Sequence, residues 1–371
     1  MRRAVILTGV LSVAVGCTGS TVPPTSSHAP SPLARSRAAR PNPSIDALPA
    51  LTLRADLGDQ PAAWGRVTFI PFGERREQLG YKTFPTGPAS QPSAFAVAPD
   101  GSIWIDDRWK RRVVHYSPSG AFLGSAGRLE HPGWDLAIVG EQVFVLVEQS
   151  TGTIGTVEGS EVKQAEVIYG KDPLFIIQLI PTARGLVAEA AGVAGTRPGE
   201  LETFVSLDPH GSIGAEVIPG LPLGRGDVSF NATRSQDPVH PHGDQDFDLT
   251  FTSGEVTQAQ PIQFDLIVHD GRRERAIPAE VGLLEPLPMG DDVLMYVRVA
   301  PARPEDAGTY GDGRWLLRVG RSPLLWERLP EPDTTDELHH RHLAIGPGGA
   351  IYLMVTKRDG MLILRRPGTG G

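Results

Sequence analysis

Apolar residues in this chain come in short runs rather than at helical spacing. Residues 143–147 (VFVLV), 175–180 (FIIQLI), 264–268 (FDLIV), 293–297 (VLMYV) and 351–355 (IYLMV) are bounded by Gly, Pro and Asp. Runs of that length between turn-forming residues predict strands. Several of them do not alternate apolar with polar, and a strand loses its period of two when protein covers both faces. A single antiparallel sandwich would alternate more cleanly. Sheets stacked radially, each packed between two neighbours, account for the pattern better.

Two stretches are near-copies of each other: FAVAPDGSIWI at 95–105 and LAIGPGGAIYL at 343–353. They share Ala96/Ala344, Pro99/Pro347, Gly101/Gly349 and Ile103/Ile351, and most other positions swap like for like. Units with an apolar–turn–apolar core fall at roughly 91–123, 132–162, 175–213, 227–271, 281–319 and 343–365. If the matched stretches mark the first and last units, the spacing is about 50 residues per unit, which predicts an all-β, six-bladed β-propeller. Seven blades would need about 41 residues each, less than the spacing of the middle units. The last unit runs out at 361–365, one strand short. Residues 65–72 (GRVTFIPF) read as a strand ahead of the first unit. That strand is expected to complete the last blade and close the ring.

Ahead of this body, Arg2 and Arg3 precede an uncharged apolar run at 4–15. It is shorter than the roughly 20 residues of a membrane-spanning helix and suits a signal peptide. The run ends in Val13-Ala14-Val15-Gly16-Cys17, which resembles a bacterial lipoprotein signal, with Ala14 where Leu is usual. The resemblance implies cleavage after residue 16 and lipidation, palmitate included, of Cys17, the single cysteine of the chain. Residues 17–48 are rich in Ser, Pro, Ala and Arg, too poor in apolar groups to offset ordering entropy, and predict a disordered tether. The propeller is then expected over 49–371, exported and facing outside the cytoplasm, with the membrane as one partner through the lipid. With one cysteine the folded part holds no disulfide, so packing must stabilise it.

The chain has 43 Gly, 34 Pro and a formal charge of −8. That acidity argues against nucleic acid as a partner, since phosphate contacts need clustered Lys and Arg. Within the first unit, Gly101, Ile103-Trp104-Ile105, Asp107, Arg112, residues 113–116 and Ser119-Gly120 follow the order of an NHL repeat. The segment resembles that family, whose six-bladed propellers belong to the TolB-like superfamily. Lys110 stands where the family has Asn, and in the last unit Val355 and Gly360 replace the Asp and Arg. The resemblance implies that Asp107 and Arg112 pair to brace a hairpin, with Gly101 and Gly349 as turn residues. It implies little about activity, because propellers host many functions.

Three clusters carry candidate chemistry. His339-His340-Arg341-His342 leads into the last unit, and His131-Pro132-Gly133-Trp134 holds the matching place in the second. Segments leading into inner strands converge at one end of a propeller channel. His131, His339, His340 and His342 therefore form a candidate metal or ligand site, against the plainer reading of solvated loop residues. His240, His242, Asp244 and Asp246 could hold a cation, but no fixed spacing supports it. If 227–231 and 247–251 are successive inner strands, that loop leaves the opposite end of the channel. Asp106, Trp109, Trp134 and Asp135, beside Lys110, make a candidate face for a protein or sugar, unless the two tryptophans only cap the channel and a blade edge.

Some chemistry is excluded. Gluconolactonase-type propellers hold calcium with Asn among the ligands, and this chain has only Asn42 and Asn231. No P-loop or Gly-x-Ser-x-Gly turn is present. The sequence therefore points to a non-catalytic module for a protein, peptide or glycan, with no cofactor. The alternative is a lyase or hydrolase with a divalent metal at the histidines.

Overall fold

The computed structural model describes residues 44–84, 89–169, 172–191, 203–207, 215–218, 220–224, 228–234, 246–322, 324–333 and 341–366. Six antiparallel sheets follow one another along the chain. Blade 1 consists of Ala94–Val97, Ile103–Asp107, Arg112–Tyr116 and Phe122–Ala126, from innermost to outermost. Blade 2 consists of Asp135–Val139, Gln142–Glu148, Thr153–Glu158 and Glu161–Glu166. Blade 3 is built from Phe175–Thr182, Gly185–Ala191, Thr203–Leu207 and Ala215–Ile218. In blade 4 the order is Leu221–Leu223, Val228–Arg234, Asp246–Ser253 and Val256–Asp270. Blade 5 holds Ala279–Met289, Asp292–Pro301, Gly313–Gly320 and Leu325–Arg328.

Blade 6 has only three strands from its own part of the chain: Leu343–Ile345, Ile351–Lys357 and Gly360–Arg366. Its fourth is Gly65–Pro71, which pairs Ile70 with Met361 and Phe69 with Leu362. The ring is thus closed by an N-terminal strand, and six blades is the count.

The core confirms the radial arrangement, because its clusters lie between blades. Ile70, Phe95, Ile103 and Tyr352 join blades 6 and 1, while Ala94, Val113, Leu136 and Val145 join blades 1 and 2. Phe144, Leu146, Leu179 and Leu186 join blades 2 and 3. Blades 3, 4 and 5 share one cluster around Phe204, Phe230, Phe264 and Trp315, and Leu294, Leu316 and Leu353 join blades 5 and 6. Each such side chain contributes about 1.5–3 kcal/mol by leaving water. Covered on both faces, the strands lack alternation.

Blade 4 departs from the plan. Its inner strand is Leu221–Leu223, so Val228–Arg234 and Asp246–Ser253 are its second and third strands, not its first two. Outside it, Ser44–Ala47 and Leu51–Asp56 run parallel to Val256–Asp270, with Leu53 opposite Phe264 and Ala55 opposite Leu266. Residues 44–48, which composition assigns to the tether, are therefore part of the sheet, and the Leu48 amide donates to the Ala259 carbonyl at 2.8 Å. The compact unit begins at Pro43. Residues 1–42, with Cys17, lie outside the described residues.

Candidate functional site

The inner strands enclose a cavity of about 640 Å³. Phe95, Leu136, Leu223, Leu287, Leu343 and Ile345, one or two from each of five blades, line much of it, with Arg341 at one end and Asp291 and Arg321 at the other.

At the Arg341 end the channel is closed by buried charge. Arg341 precedes the inner strand of blade 6 and reaches across the axis. Its Nε donates to Asp135 Oδ1 at 2.8 Å and its Nη2 to Asp135 Oδ2 at 2.6 Å. Nη2 also donates to the Leu179 carbonyl of blade 3, and the Arg341 amide donates to the Ser93 carbonyl of blade 1 at 3.2 Å. Asp135 in turn accepts from the amides of Leu136 at 2.8 Å and Leu179 at 2.7 Å. Arg341 is 2% exposed and Asp135 is fully buried. An ion pair so enclosed holds only when its remaining hydrogen-bonding capacity is satisfied, as here.

His342 makes the matching contact to blade 5. Its Nδ1 meets Glu285 Oε1, and Glu285 Oε2 accepts from the amides of His342 at 2.6 Å and Leu343 at 3.0 Å. The imidazole stacks on Tyr296, with ring centroids 4.1 Å apart. A bulge between Leu284 and Leu287, with Glu285 at φ 57°, turns this carboxylate out of the strand register. A non-glycine residue there costs on the order of 1 kcal/mol, which the three contacts offset.

Two further carboxyls lie in this layer. Asp106 Oδ2 accepts from Ser93 Oγ at 2.5 Å, and burial pushes the Asp106 carboxyl up to about 7 despite that bond. Gly133 packs against it so closely that a Cβ there would lie 2.3 Å from Asp106 Oδ2. Burial likewise pushes Glu189 up to about 6, with Gln178 donating to it at 2.5 Å and the charge of Asp135 adding to the shift.

The two described members of the histidine cluster face different neighbours. His131 is exposed, its Nδ1 3.9 Å from Glu148 of blade 2, whereas His342 is buried against blade 5. His339 and His340 lie outside the described residues, as do His240, His242 and Asp244, while Asp246 opens the third strand of blade 4. The proposed exposed face is also corrected. Asp106 and Asp135 are fully buried, and Trp134 is half-buried beneath the Arg108 guanidinium, 4.2 Å from its ring centroid. Only Trp109 of the four is exposed.

Arg112 donates to Asp107 Oδ2 at 2.9 Å and to the carbonyls of Arg76 and Gln78, bracing the segment that precedes blade 1. Gly101 (φ 83°) and Gly349 (φ 71°) occupy turn positions that favour glycine.

Among the described residues one group has metal-ligating geometry, and no sequence motif points to it: Asp56, His269 and Glu274. Arg54 already lies there, donating to Asp56 Oδ2 at 2.9 Å and to Glu274 Oε2 at 2.7 Å, while His269 Nε2 is 2.6 Å from Asp56 Oδ1. Burial alone would raise Asp56, but these bonds and the Gly58 amide hold it down at about 2. The guanidinium supplies the positive charge that a divalent ion would bring, so the cluster serves first as a latch for the added N-terminal strand.

No family model matches the chain, and no curated protein does. Solved structures similar to it include Kuenenia stuttgartiensis hydrazine synthase, at 11% identity over 78% of this chain and 90% of that one, with a TM-score of 0.43. A Lactobacillus plantarum protein is 12% identical over 82% of this chain and 100% of its own, with a TM-score of 0.42. Virginiamycin B lyase from Staphylococcus aureus is 11% identical over 76% and 82%, with a TM-score of 0.35. Scores this low carry no activity across, and the function has to be argued from the site.

Proposed function

We propose that this protein is a binding module held at a bacterial membrane by lipid on Cys17, and that the open end of its channel receives an apolar segment of a peptide or protein. One observation carries the reading: the cavity of about 640 Å³, which apolar side chains of five blades help to line and which the Arg341–Asp135 pair backs at one end. Its walls are inner strands fixed on both sides by neighbouring blades, so the site is preformed and little ordering opposes binding. Arg341 and Asp135 bind each other, so their charges are satisfied within the fold rather than by a ligand. Beside the mouth, a second hollow of about 610 Å³ shares Val228, Asp291 and Arg321 with the channel and includes exposed Leu48, Val256 and Leu324. An extended peptide has room to place one side chain in each.

An enzymatic reading rests on Asp56, His269 and Glu274, and Arg54 weighs against it by occupying their cation position.

Peptide-library selection on the full chain, repeated with Ala183→Trp, tests the proposal. Ala183 is an exposed channel-lining residue, so the indole obstructs the mouth without overpacking the core. The selected peptides should be apolar and lose at least about tenfold in affinity for the variant. Equal binding to both would remove the channel as the site. For the anchor, Cys17→Ala should move the protein from the membrane to the soluble fraction and abolish labelling with palmitate.

A further inference from the structure

A third cavity, of about 300 Å³, lies against the second hairpin of blade 1, between Ile103–Asp107 and Arg112–Tyr116, lined by Phe84, Gln91, Arg108, Trp109, Arg111 and Pro132 among others. Gln91 is 1% exposed, yet both its amide nitrogen and its amide oxygen lack a hydrogen-bond partner among the described residues. Buried amides are nearly always satisfied, and leaving one unpaired costs on the order of 1–3 kcal/mol. Asp106 Oδ1, two residues from Arg108, is buried and unpartnered as well.

Arg108 itself is half-buried, and burial holds its pKa below the ordinary guanidinium range. Its Cζ lies over the Trp134 ring, 4.2 Å from the centroid, and it makes no hydrogen bond among the described residues. A planar fork of donors held in place and left without an acceptor suits a carboxylate.

The rim is aromatic and cationic. Trp109 and Phe84 are exposed and meet edge to face with centroids 6.3 Å apart. The Lys82 ammonium lies 4.6 Å from the Trp109 centroid. Arg111, also exposed, donates to the Glu130 carbonyl at 3.3 Å. In a chain of formal charge −8, three cations around one small aromatic hollow favour an anionic ligand.

We propose that this cavity is a saccharide subsite for a pyranose ring bearing a carboxylate, as in a uronic-acid unit. The indole of Trp109 covers the apolar face of the ring, and Arg108 binds the carboxylate through two parallel N–H donors. Gln91, turning its amide toward the ligand, meets a ring hydroxyl. The exposed indole of Trp109, a flat apolar surface for the face of a pyranose, favours the sugar over a peptide terminus, and the size of the cavity suits one ring.

The test is saturation-transfer NMR on the full chain with sodium glucuronate, glucose and glycylglycine, on wild type and on the Arg108→Gln, Trp109→Ala and Ala183→Trp variants. Glucuronate should bind more tightly than glucose. Arg108→Gln should weaken glucuronate about tenfold and bring it level with glucose, and Trp109→Ala should weaken both sugars. Trp109 is exposed, so its loss leaves the fold intact, and matched thermal unfolding curves check both hairpin variants. Ala183→Trp, at the channel mouth, should leave sugar binding unchanged, which separates this site from the channel. No saturation transfer from glucuronate at ~10 mM, equal affinity for glucuronate and glucose in wild type, or stronger binding of glycylglycine at the same residues would each overturn the assignment.

Discussion

The two ends of the channel solve opposite problems with the same six inner strands. At one end Arg341, Asp135, His342 and Glu285 use their charges on each other and on backbone amides, tying blades 6, 1, 2, 3 and 5 together. At the other end the inner strands border the open part of the cavity, and the charged groups at its rim, Asp291 and Arg321, are 44% and 74% exposed. Charge buried at one end sets geometry; apolar surface at the other remains available to a ligand. Stability should therefore respond to substitutions at the first end and binding to those at the second.

The largest effect is expected from Arg341→Ala. It leaves Asp135 charged, buried and short of two donors, and breaking such a pair from one side costs about 3–5 kcal/mol. Denaturant unfolding of the full chain should show that loss. The Arg341→Met, Asp135→Leu double variant should recover much of it, because removing both charges removes the desolvation cost. If Arg341→Ala left the unfolding midpoint in place, the closed end would not be what aligns the blades.

The next effect is on pH dependence. With Asp106 raised from 3.8 to about 7, its carboxyl is neutral in both states below about pH 4. Between there and pH 7 the unfolded chain ionises at this position and the folded chain does not. The unfolded state then binds fewer protons, so stability falls as pH rises and levels off once the folded carboxyl ionises. The loss is on the order of 4 kcal/mol for a shift of that size. Glu189, raised to about 6, adds in the same direction. Asp106→Asn should flatten most of the slope in unfolding curves taken at several pH values. An unchanged slope would mean that Asp106 is ionised in the fold.

Much of this contrast was hidden in the sequence for a physical reason. The repeat pattern, the turn glycines Gly101 and Gly349 and the closing strand at 65–71 are local features, legible because turns and apolar runs are specified over a few residues. Arg341 sits among three histidines in a polar stretch and reads as solvated; its partner Asp135 is remote in the chain, and only closure of the ring brings them together. Asp106 reads as part of an exposed face because its hairpin looks like a tip, whereas Gly133 of the neighbouring blade packs on it, and Asp135 opens the inner strand of blade 2, where Arg341 covers it. Glu285 did leave a signal, a single charge inside the apolar strand VGLLEPLPM, which marks either a bulge or a buried partner and here marks both. The strand at 51–56 left none, since parallel pairing with a distant edge needs no turn and no repeat.

The smallest effect on stability belongs to the open end, and it sharpens the comparison most. Arg321 donates to Asp291 at 2.8 Å across the rim shared by the channel and the adjoining hollow. An exposed pair of this kind is worth about 0–1 kcal/mol, so Arg321→Ala should barely move the unfolding transition. Its effect on peptides selected for the channel should be larger than its effect on folding, because the same side chain borders both hollows. If Arg321→Ala destabilised the fold as much as Arg341→Ala, the two ends would share one structural role, and the division between a clasp and a binding mouth would fail.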